Sequence, residues 1–416
     1  MTIDLALARH LFARLHEIGF DGRGMTRASY DTGENQAHSL LAATAREIGL
    51  EVHTDWAANL FITLPGEDRT APVVMTGSHV DTVPLGGNFD GAAGVLAGLA
   101  TLSGWRNEGY RPRCDVTVVV IRAEESAWFP VSYIGSKAAF GVLDVASLHV
   151  RQRGSGRTLF EHMRQSGGQP DQMGQARVLH AAQIACFVEL HIEQGPVLIG
   201  TDTTLGIVSG ICGSLRYRTI TIEGDYAHSG ATPRAFRRDA VLAMSAFITQ
   251  LQQCWLAIEA EGGDMTLTFG VCHTDADQAD FSTVAGKVTL SLDVRSRDTA
   301  LLTQMDGHIQ AARATVEAEY GVRVTLGAVT GSQPANMDTA LQSELTQAAH
   351  RHGVAVRSMP SGAGHDAAIF SNQGVPTAML FVRNANGSHN PDEAMDEADF
   401  AVGAEVLATV LEARSR

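Results

Sequence analysis

The sequence predicts an α/β fold: a mostly parallel sheet flanked by helices, interrupted by a smaller inserted α+β domain. Three observations support this. Up to about residue 210, short apolar runs alternate with helical patterns, which is typical of parallel sheets. Beyond that point the strand-like segments alternate strictly between apolar and polar residues, as strands with one solvent-facing side do. After about residue 330 the alternation of apolar runs with helical patterns returns. The chain length of 416 residues also exceeds what one hydrophobic core usually supports.

The individual elements follow from local patterns. Apolar residues from Leu5 to Ile18 recur at helical spacing and predict an amphipathic helix. Residues 73–75 predict a buried strand, and the apolar stretch 92–100 predicts the helix after it. The remaining predicted strands of the larger domain are 116–121, one that carries His191, and 377–382, and its later helices are near 341–352 and from 399. The insertion is predicted to contain strands 215–223 and 287–295 and helices 238–259 and 301–320.

Composition limits the classes of partner. The chain has 31 basic and 46 acidic residues, a formal charge of −15, which argues against nucleic acid or an anionic membrane as partner. We see no apolar run that approaches the length of a transmembrane helix, and the N-terminus lacks the pattern of a signal peptide. The cysteines form no C-x-x-C pair, and we expect buried thiols of a cytoplasmic protein at Cys114, Cys186, Cys212, Cys254 and Cys272.

The stretch 77–94, GSHVDTVPLGGNFDGAAG, is the first candidate site. It places His79 and Asp90 at the end of a strand and on the loop that leaves it, where α/β sheets usually hold their sites. His and carboxylate ligands suit zinc and similar divalent ions. Glycine-rich loops also bind phosphates, but the glycines do not follow G-x-G-x-x-G, and no Gly-Lys-Ser/Thr follows them. A metal site is therefore the better interpretation.

Three further strand ends carry ligand-type residues. Glu124 and Glu125 follow residues 116–121. In such a pair one glutamate can bind a metal while the other takes a proton from metal-bound water. Two adjacent glutamates are, however, more commonly part of a solvated acidic loop. His191 lies in an apolar strand, where a histidine is more often a hydrogen-bonded core residue. His389 follows residues 377–382. Together with His79 and Asp90, these residues suit a pair of zinc-like ions with one shared carboxylate.

Two other features accompany these ligands. Asp81 is placed to hold the His79 imidazole as a hydrogen-bond acceptor, or simply to cap its loop. The glycine-rich segment 360–366 could approach a substrate through its backbone.

The motifs GSHVDTV, GGNFDG, AEES, HIEQGP, AHSGATP, LDVR, SGAGHDA and SHNP, in this order over nearly the whole chain, resemble the N-carbamoyl-L-amino acid amidohydrolase and allantoate amidohydrolase family. This family is a branch of the dizinc aminoacylase and carboxypeptidase superfamily. The resemblance implies a dizinc catalytic domain, residues 1–212 and 329–416, and a lid and dimerisation domain, residues 213–328.

The resemblance also implies roles. His79 and His191 would bind one metal and Glu125 and His389 the other, with Asp90 bridging and Asp81 orienting His79. Glu124 would be the general base that takes a proton from a metal-bridging water. His228 would reach the neighbouring subunit's site in a homodimer and donate a hydrogen bond to the oxyanion. The metals would be zinc, with manganese, cobalt and nickel as alternatives.

Substrate recognition is where the sequence departs from the family. The expected substrate contacts Gln194, His228, Arg295 and Gly362 are present, whereas Ser282 replaces the usual Asn and Trp128 replaces an Arg. Arg295 suits a substrate carboxylate, or is a surface charge on the solvent-facing side of the sheet. We expect a small-molecule substrate, an N-carbamoyl-L-amino acid first. Allantoate or another ureide and an N-acyl amino acid or dipeptide are alternatives within enzymes, and a non-catalytic metal-binding protein is the alternative outside them.

Overall fold

The protein is described from a computed structural model that covers residues 2–175 and 178–416. The chain forms two compact units. The first comprises the residues up to Ser209 together with Asn336–Pro360 and His365–Arg416. The second comprises Gly210–Ala335 and the short segment Ser361–Gly364, which the sequence analysis assigned to the larger domain. The lid and dimerisation roles expected for residues 213–328 remain predictions.

The helices are, in chain order, α1 (Leu5–Gly19), α2 (Thr32–Ile48), α3 (Ala92–Asn107), α4 (Ile134–Ala139), α5 (Leu159–Gln165), α6 (Val197–Gly200), α7 (Ala240–Ala260), α8 (Thr299–Tyr320), α9 (Thr339–Arg351), α10 (Asp366–Asn372) and α11 (Glu397–Arg414). The strands are β1 (Glu51–Thr54), β2 (Leu60–Leu64), β3 (Val73–His79), β4 (Val116–Ile121), β5 (Ile184–Ile192), β6 (Leu205–Ile211), β7 (Gly213–Glu223), β8 (Ala227–His228), β9 (Met265–Thr268), β10 (Cys272–Thr274), β11 (Thr283–Val284), β12 (Lys287–Ser296), β13 (Arg323–Leu326), β14 (Val329–Ser332), β15 (Ala335–Asn336), β16 (Val356–Ser361), β17 (Thr377–Val382), β18 (Asn384–Ala385) and β19 (Ala394–Met395).

The large sheet has the strand order β1-β2-β4-β3-β5-β17-β6-β15, with β16 beside β6. The predicted α/β class is confirmed, and the parallel pairing is concentrated in four adjacent central strands, β4, β3, β5 and β17. Strands β1, β2 and β6 pair antiparallel at the flanks. Only five residues connect β1 to β2, which is too short for the crossover that a parallel pair needs.

Helix α3 packs against this sheet and brings the Asp90 loop to it. Its buried residues run without a break from Ala92 to Trp105, as expected for a helix that is apolar on all sides. Gly94 makes the close approach possible, because a Cβ there would lie 2.2 Å from the carbonyl oxygen of Leu190 in β5. The start of α3 is thereby held against the central strands.

The second unit is built on an antiparallel sheet in which β7 and β12 are the central pair. Strand β12 alternates between buried and half-buried residues, as the sequence predicted. Its buried residues form one hydrophobic core with the inner faces of α7 and α8. This unit also contains a two-stranded antiparallel sheet of β8 and β11.

Two expectations were wrong: that all five cysteines are buried, and that no apolar segment is long enough to span a membrane. Cys272 is exposed and Cys212 and Cys254 are half-buried, so only Cys114 and Cys186 are buried thiols. Cys272 lies on β10, a short strand at the end of the sheet order in which no residue is fully buried. Within the described ranges, α7 is long and apolar enough to span a membrane by length and composition. One such helix is weak evidence for a span, because core helices share these properties, and Phe247 of α7 is fully buried in the core of its unit.

Candidate metal centre

The candidate ligands lie at one edge of the large sheet. Because β4, β3, β5 and β17 are adjacent and parallel, their carboxyl ends meet at the same edge. Strand β3 ends at His79, β5 contains His191 near its end, Glu124 and Glu125 follow β4, and His389 follows β17. Topology thus brings together residues that are up to 310 positions apart.

The first ligand group consists of His79, Asp90 and His191. Asp90 Oδ1 lies 3.1 Å from His191 Nε2 and 3.7 Å from His79 Nε2. The Nδ1 atom of His79 lies 3.1 Å from the carbonyl oxygen of Asp81, and Nδ1 of His191 lies 2.9 Å from that of Ile192. Since a carbonyl oxygen only accepts, both Nδ1 atoms carry a proton, so in the neutral rings both Nε2 atoms present a lone pair toward Asp90. The Nε2 atom of His191 also accepts from the backbone amide of Gly91 at 3.2 Å.

The second group consists of Asp90, Glu125 and His389. His389 Nε2 lies 3.3 Å from both Asp90 Oδ2 and Glu125 Oε1. Asp90 therefore belongs to both groups, with one oxygen in each.

These residues fit a pair of divalent ions. Asp90 Oδ1 is buried, and among the described residues no hydrogen-bond donor satisfies it. With neutral rings two imidazole lone pairs lie beside it instead, an arrangement that a cation held between these atoms would satisfy. Histidine nitrogens with carboxylate oxygens are ligands that zinc and related ions accept.

A third group, Glu189, His191 and His365, lies directly behind the first. Its carboxylate is already bonded, since Glu189 accepts from Ser78 Oγ at 2.7 Å and from the backbone amide of Ala367 at 3.0 Å. The His365 ring meets the His191 ring edge-on with centroids 4.5 Å apart. His365 belongs to the SGAGHDA motif, but no role was predicted for it from the sequence.

Glu124 and Glu125 are both buried. Burial raises the pKa of Glu124 well above its ordinary value; the neighbouring Glu125 and Asp366 carboxylates act in the same direction, and His79 opposes them. A raised pKa is what a general base near neutral pH requires.

Asp81 lies beside His79, and its backbone carbonyl oxygen is closer to the imidazole than its carboxylate is. Its Oδ1 is 3.3 Å from His79 Nδ1, and its Oδ2 accepts from Ser29 Oγ at 2.5 Å. Gln194, expected to contact the substrate, donates to Asp90 Oδ2 at 2.9 Å.

Two residues that hold Asp90 were not predicted from the sequence. Ser388 Oγ lies 2.8 Å from Asp90 Oδ2 and 2.6 Å from Glu393 Oε2. Glu393 in turn accepts from the backbone amides of Phe89 and Asp90, at 2.8 and 3.2 Å. Ser388 stands beside His389 in a motif that had been singled out, whereas Glu393 has no local signal.

The second unit holds the other expected substrate contacts. Arg295 donates from Nε and Nη2 to Asp293 Oδ2 and from Nη1 to the carbonyl oxygen of Gly362 at 2.9 Å. It is therefore an oriented guanidinium and not an isolated surface charge. Ser282 is exposed, and its Oγ donates to Asp280 at 3.3 Å.

His228 is exposed in β8, opposite Thr283 of β11. Its Nδ1 accepts from the backbone amides of Gly230 and Ala231, both at 3.1 Å. An accepting Nδ1 carries no proton, so the neutral ring presents an N–H donor at Nε2.

Comparison with known proteins agrees with this geometry. Residues 75–413 match the model of Peptidase family M20/M25/M40. The chain belongs to this family. It is 35% identical over 403 residues to an N-carbamoyl-L-amino acid amidohydrolase of Geobacillus stearothermophilus, covering 95% of this chain and 96% of that protein. It is 33% identical over 389 residues to an allantoate amidohydrolase of Escherichia coli K12, covering 93% and 92%.

Among solved structures, an amidase of the hydantoinase/carbamoylase family from Burkholderia multivorans superposes with a TM-score of 0.87 at 30% identity, over 100% of this chain and 98% of that one. The resemblance stated from the motifs is thus confirmed, as is the prediction of an amidohydrolase. The names of these relatives specify two different substrates, N-carbamoyl-L-amino acids and allantoate.

Proposed function

We propose that this protein hydrolyses the carbamoyl group of N-carbamoyl-L-amino acids with two divalent ions, zinc in the first instance. The observation that carries the proposal is Asp90, which presents one oxygen to each of two ligand groups. Divalent ions held by these two groups would suit hydrolysis, because a two-metal site stabilises both the attacking and the leaving atoms. The similarity to an N-carbamoyl-L-amino acid amidohydrolase over nearly the whole chain supports the substrate class.

In this proposal His79 and His191 hold one ion, Glu125 and His389 hold the other, and Asp90 is shared. Two ions bound there supply Lewis acidity, which polarises the scissile carbonyl and makes water a stronger acid. Glu124 takes the proton of the attacking water and passes it to the leaving nitrogen. Asp81 keeps the proton of His79 on Nδ1, away from the metal.

His228 is proposed to stabilise the oxyanion. Its Nδ1 is engaged by two backbone amides, so its Nε2–H is the free donor that an oxyanion requires. We propose that it acts in the neighbouring subunit's site of a homodimer, with residues 213–328 as the lid and dimerisation domain.

Arg295 is proposed to bind the substrate carboxylate. Three of its five N–H groups are used by Asp293 and Gly362, which leaves two, one on each terminal nitrogen, for a bidentate contact. Gln194, Ser282 and Gly362 complete the proposed contacts. Trp128, whose indole Nε1–H donates to Thr82 at 2.7 Å, is a fixed apolar surface that favours a larger or aromatic substituent.

Allantoate or another ureide is the second candidate, supported by the Escherichia coli relative. An N-acyl amino acid or dipeptide remains an alternative substrate of the same chemistry. A cytoplasmic location is proposed from the sequence alone.

The test is a substrate panel of N-carbamoyl, N-formyl and N-acetyl amino acids and ureides, assayed for product with zinc, manganese, cobalt or nickel and again after chelation. We expect release of ammonia and free amino acid from the carbamoyl compounds, lost on chelation and restored by metal. Faster turnover of allantoate would overturn the substrate choice in favour of the ureide.

Glu124→Gln is the matched variant for this assay. It removes the base and no proposed ligand, so metal content should stay at two ions per chain while kcat falls roughly 10²–10⁴-fold. Undiminished turnover would remove Glu124 from its role.

A further inference from the structure

The backbone around the two glutamates is held by side chains. All four successive amides of segment 122–125 donate to buried or half-buried acceptors on other elements. The bonds join Arg122 N to Asn59 Oδ1 (2.9 Å), Ala123 N to Glu34 Oε1 (2.9 Å), Glu124 N to Asp81 Oδ1 (3.2 Å) and Glu125 N to Asp81 Oδ2 (3.3 Å).

The opposite side of the same segment is also bonded. The carbonyl oxygens of residues 122, 123 and 124 accept from the amides of Gly135, Ile134 and Tyr133 at the start of α4, at 2.9–3.1 Å. Between them Ala123 has φ of 52°, a left-handed conformation that is strained for a residue with a Cβ. Such a conformation persists only where its surroundings impose it.

Among these acceptors, Glu34 is the carboxylate that has no role in the proposed site. It lies in the first turn of α2 and is fully buried. Its Oε2 accepts from Tyr30 N at 2.6 Å and from Arg122 Nη1 at 3.0 Å, while Oε1 accepts from Ala123 N. Arg122 also donates to the carbonyl oxygen of Ala58 at 3.0 Å. A buried pair is kept only when its remaining hydrogen-bonding groups are satisfied.

We propose that Glu34 is a positioning residue for Glu124 and Glu125: from α2 it fixes the backbone immediately before the base and the metal ligand. Asp81 and Asn59 hold the flanking amides. The inference rests on the proposed function for the roles of the two glutamates. Glu34 touches no reacting group in this scheme and acts only through the backbone of Ala123 and the guanidinium of Arg122.

Glu34→Gln in the full-length protein tests the proposal. The variant keeps the shape, but its NH₂ group cannot accept: in one orientation it faces the amide of Ala123, and in the other it faces the donors of Tyr30 and Arg122. We expect zinc affinity, measured by competition with a chromophoric chelator, to fall roughly 10–100-fold. At saturating metal, kcat should fall at least about 10-fold with KM within about threefold, because the base is displaced and substrate binding is not.

Glu344→Gln is the matched control. Glu344 of α9 pairs with Arg414 of α11 in the same unit, at 2.7 Å, and has no part in the proposed site. We expect wild-type zinc affinity and kcat from this variant, even where its melting temperature falls. If Glu34→Gln matches the control in zinc affinity and kcat, Glu34 is merely structural and the proposal is overturned.

Glu34→Asp covers the case in which Glu34→Gln does not fold, because it keeps the charge beside Arg122. The shorter side chain should still lower zinc affinity and kcat at least about threefold, and wild-type values for both would overturn the proposal. The zinc measurement needs no substrate. A wild-type chain that hydrolyses none of the panel would therefore contradict the proposed function and leave the test of Glu34 intact.

Discussion

At the scale of single residues, hydrogen bonds decide which nitrogen of each histidine is available. His79 and His191 use Nδ1 to donate to carbonyl oxygens and so present Nε2 lone pairs, as metal ligands must. His228 uses Nδ1 to accept from two amides and so presents an Nε2–H donor. One side-chain type thus serves two kinds of chemistry, and the difference lies in the partner of Nδ1.

Asp293 shows a similar control over an arginine. Its two oxygens hold Arg295 and Arg216, so its charge orients both guanidinium groups. Asp293→Asn should raise KM for an N-carbamoyl amino acid roughly 10-fold with little change in kcat. The reason is that only the hydrogen bonds between Arg295 and the substrate carboxylate are weakened. Steady-state kinetics on a substrate and on its carboxamide analogue measures this.

The matched control is Asp264→Asn, which breaks the exposed pair of Asp264 with Arg297 in the same unit. It should leave KM unchanged. If Asp293→Asn raises KM equally for the carboxylate substrate and for its carboxamide analogue, Arg295 does not bind the substrate carboxylate.

At the scale of elements, the site depends on how helix α3 begins. The chain passes from Asp90 into α3 through Gly91, which has φ of 65°. A Cβ on Gly91 would lie 2.5 Å from the His79 ring, so only glycine lets the helix start directly beneath this histidine. The same residue therefore permits the turn and leaves room for the ligand.

Gly91→Ala should displace His79 and weaken zinc binding roughly 10–100-fold, in addition to lowering the melting temperature. Gly109, just beyond the other end of α3, has φ of 72° with open space around the Cβ position. Gly109→Ala therefore introduces the backbone strain alone and should lower stability by about 1 kcal/mol without changing zinc affinity. Equal zinc affinities of the two variants would contradict the role given to Gly91.

At the scale of the whole molecule, the proposed homodimer makes a prediction about mixed subunits. His228→Ala and Glu124→Gln should each be nearly inactive alone, with the histidine variant reduced roughly 10²–10³-fold. After co-refolding in equal amounts, about half of the dimers are mixed, and each has one site with both residues intact. We expect about one quarter of wild-type activity in the mixture.

The control mixes wild-type chains with the Glu124→Gln variant, which should give about half of wild-type activity. If His228 serves its own chain, the mixture of the two variants stays inactive. That result would reject the exchange of His228 between subunits.

The sequence by itself determined the elements and the kinds of residue at the strand ends. Strands β4 and β17 have the predicted bounds, because apolar runs and helical periodicity are local properties that survive without neighbours. The motifs around His79 and His191 were likewise sufficient to identify the family. Strand direction at the flanks and the exposure of Cys272 depend on which strands are neighbours, and these were decided by tertiary structure.

The support of the site was also decided only in three dimensions. Glu34 meets Ala123 across 89 positions, and Glu393 meets Asp90 across 303. A buried carboxylate that accepts from a distant amide leaves no periodicity and no spacing in the sequence, so nothing local distinguishes it from a solvated one. The candidate ligands lie in recognisable motifs because each must follow its own strand. The residues that hold them in place can come from any part of the chain that the fold brings within hydrogen-bond distance.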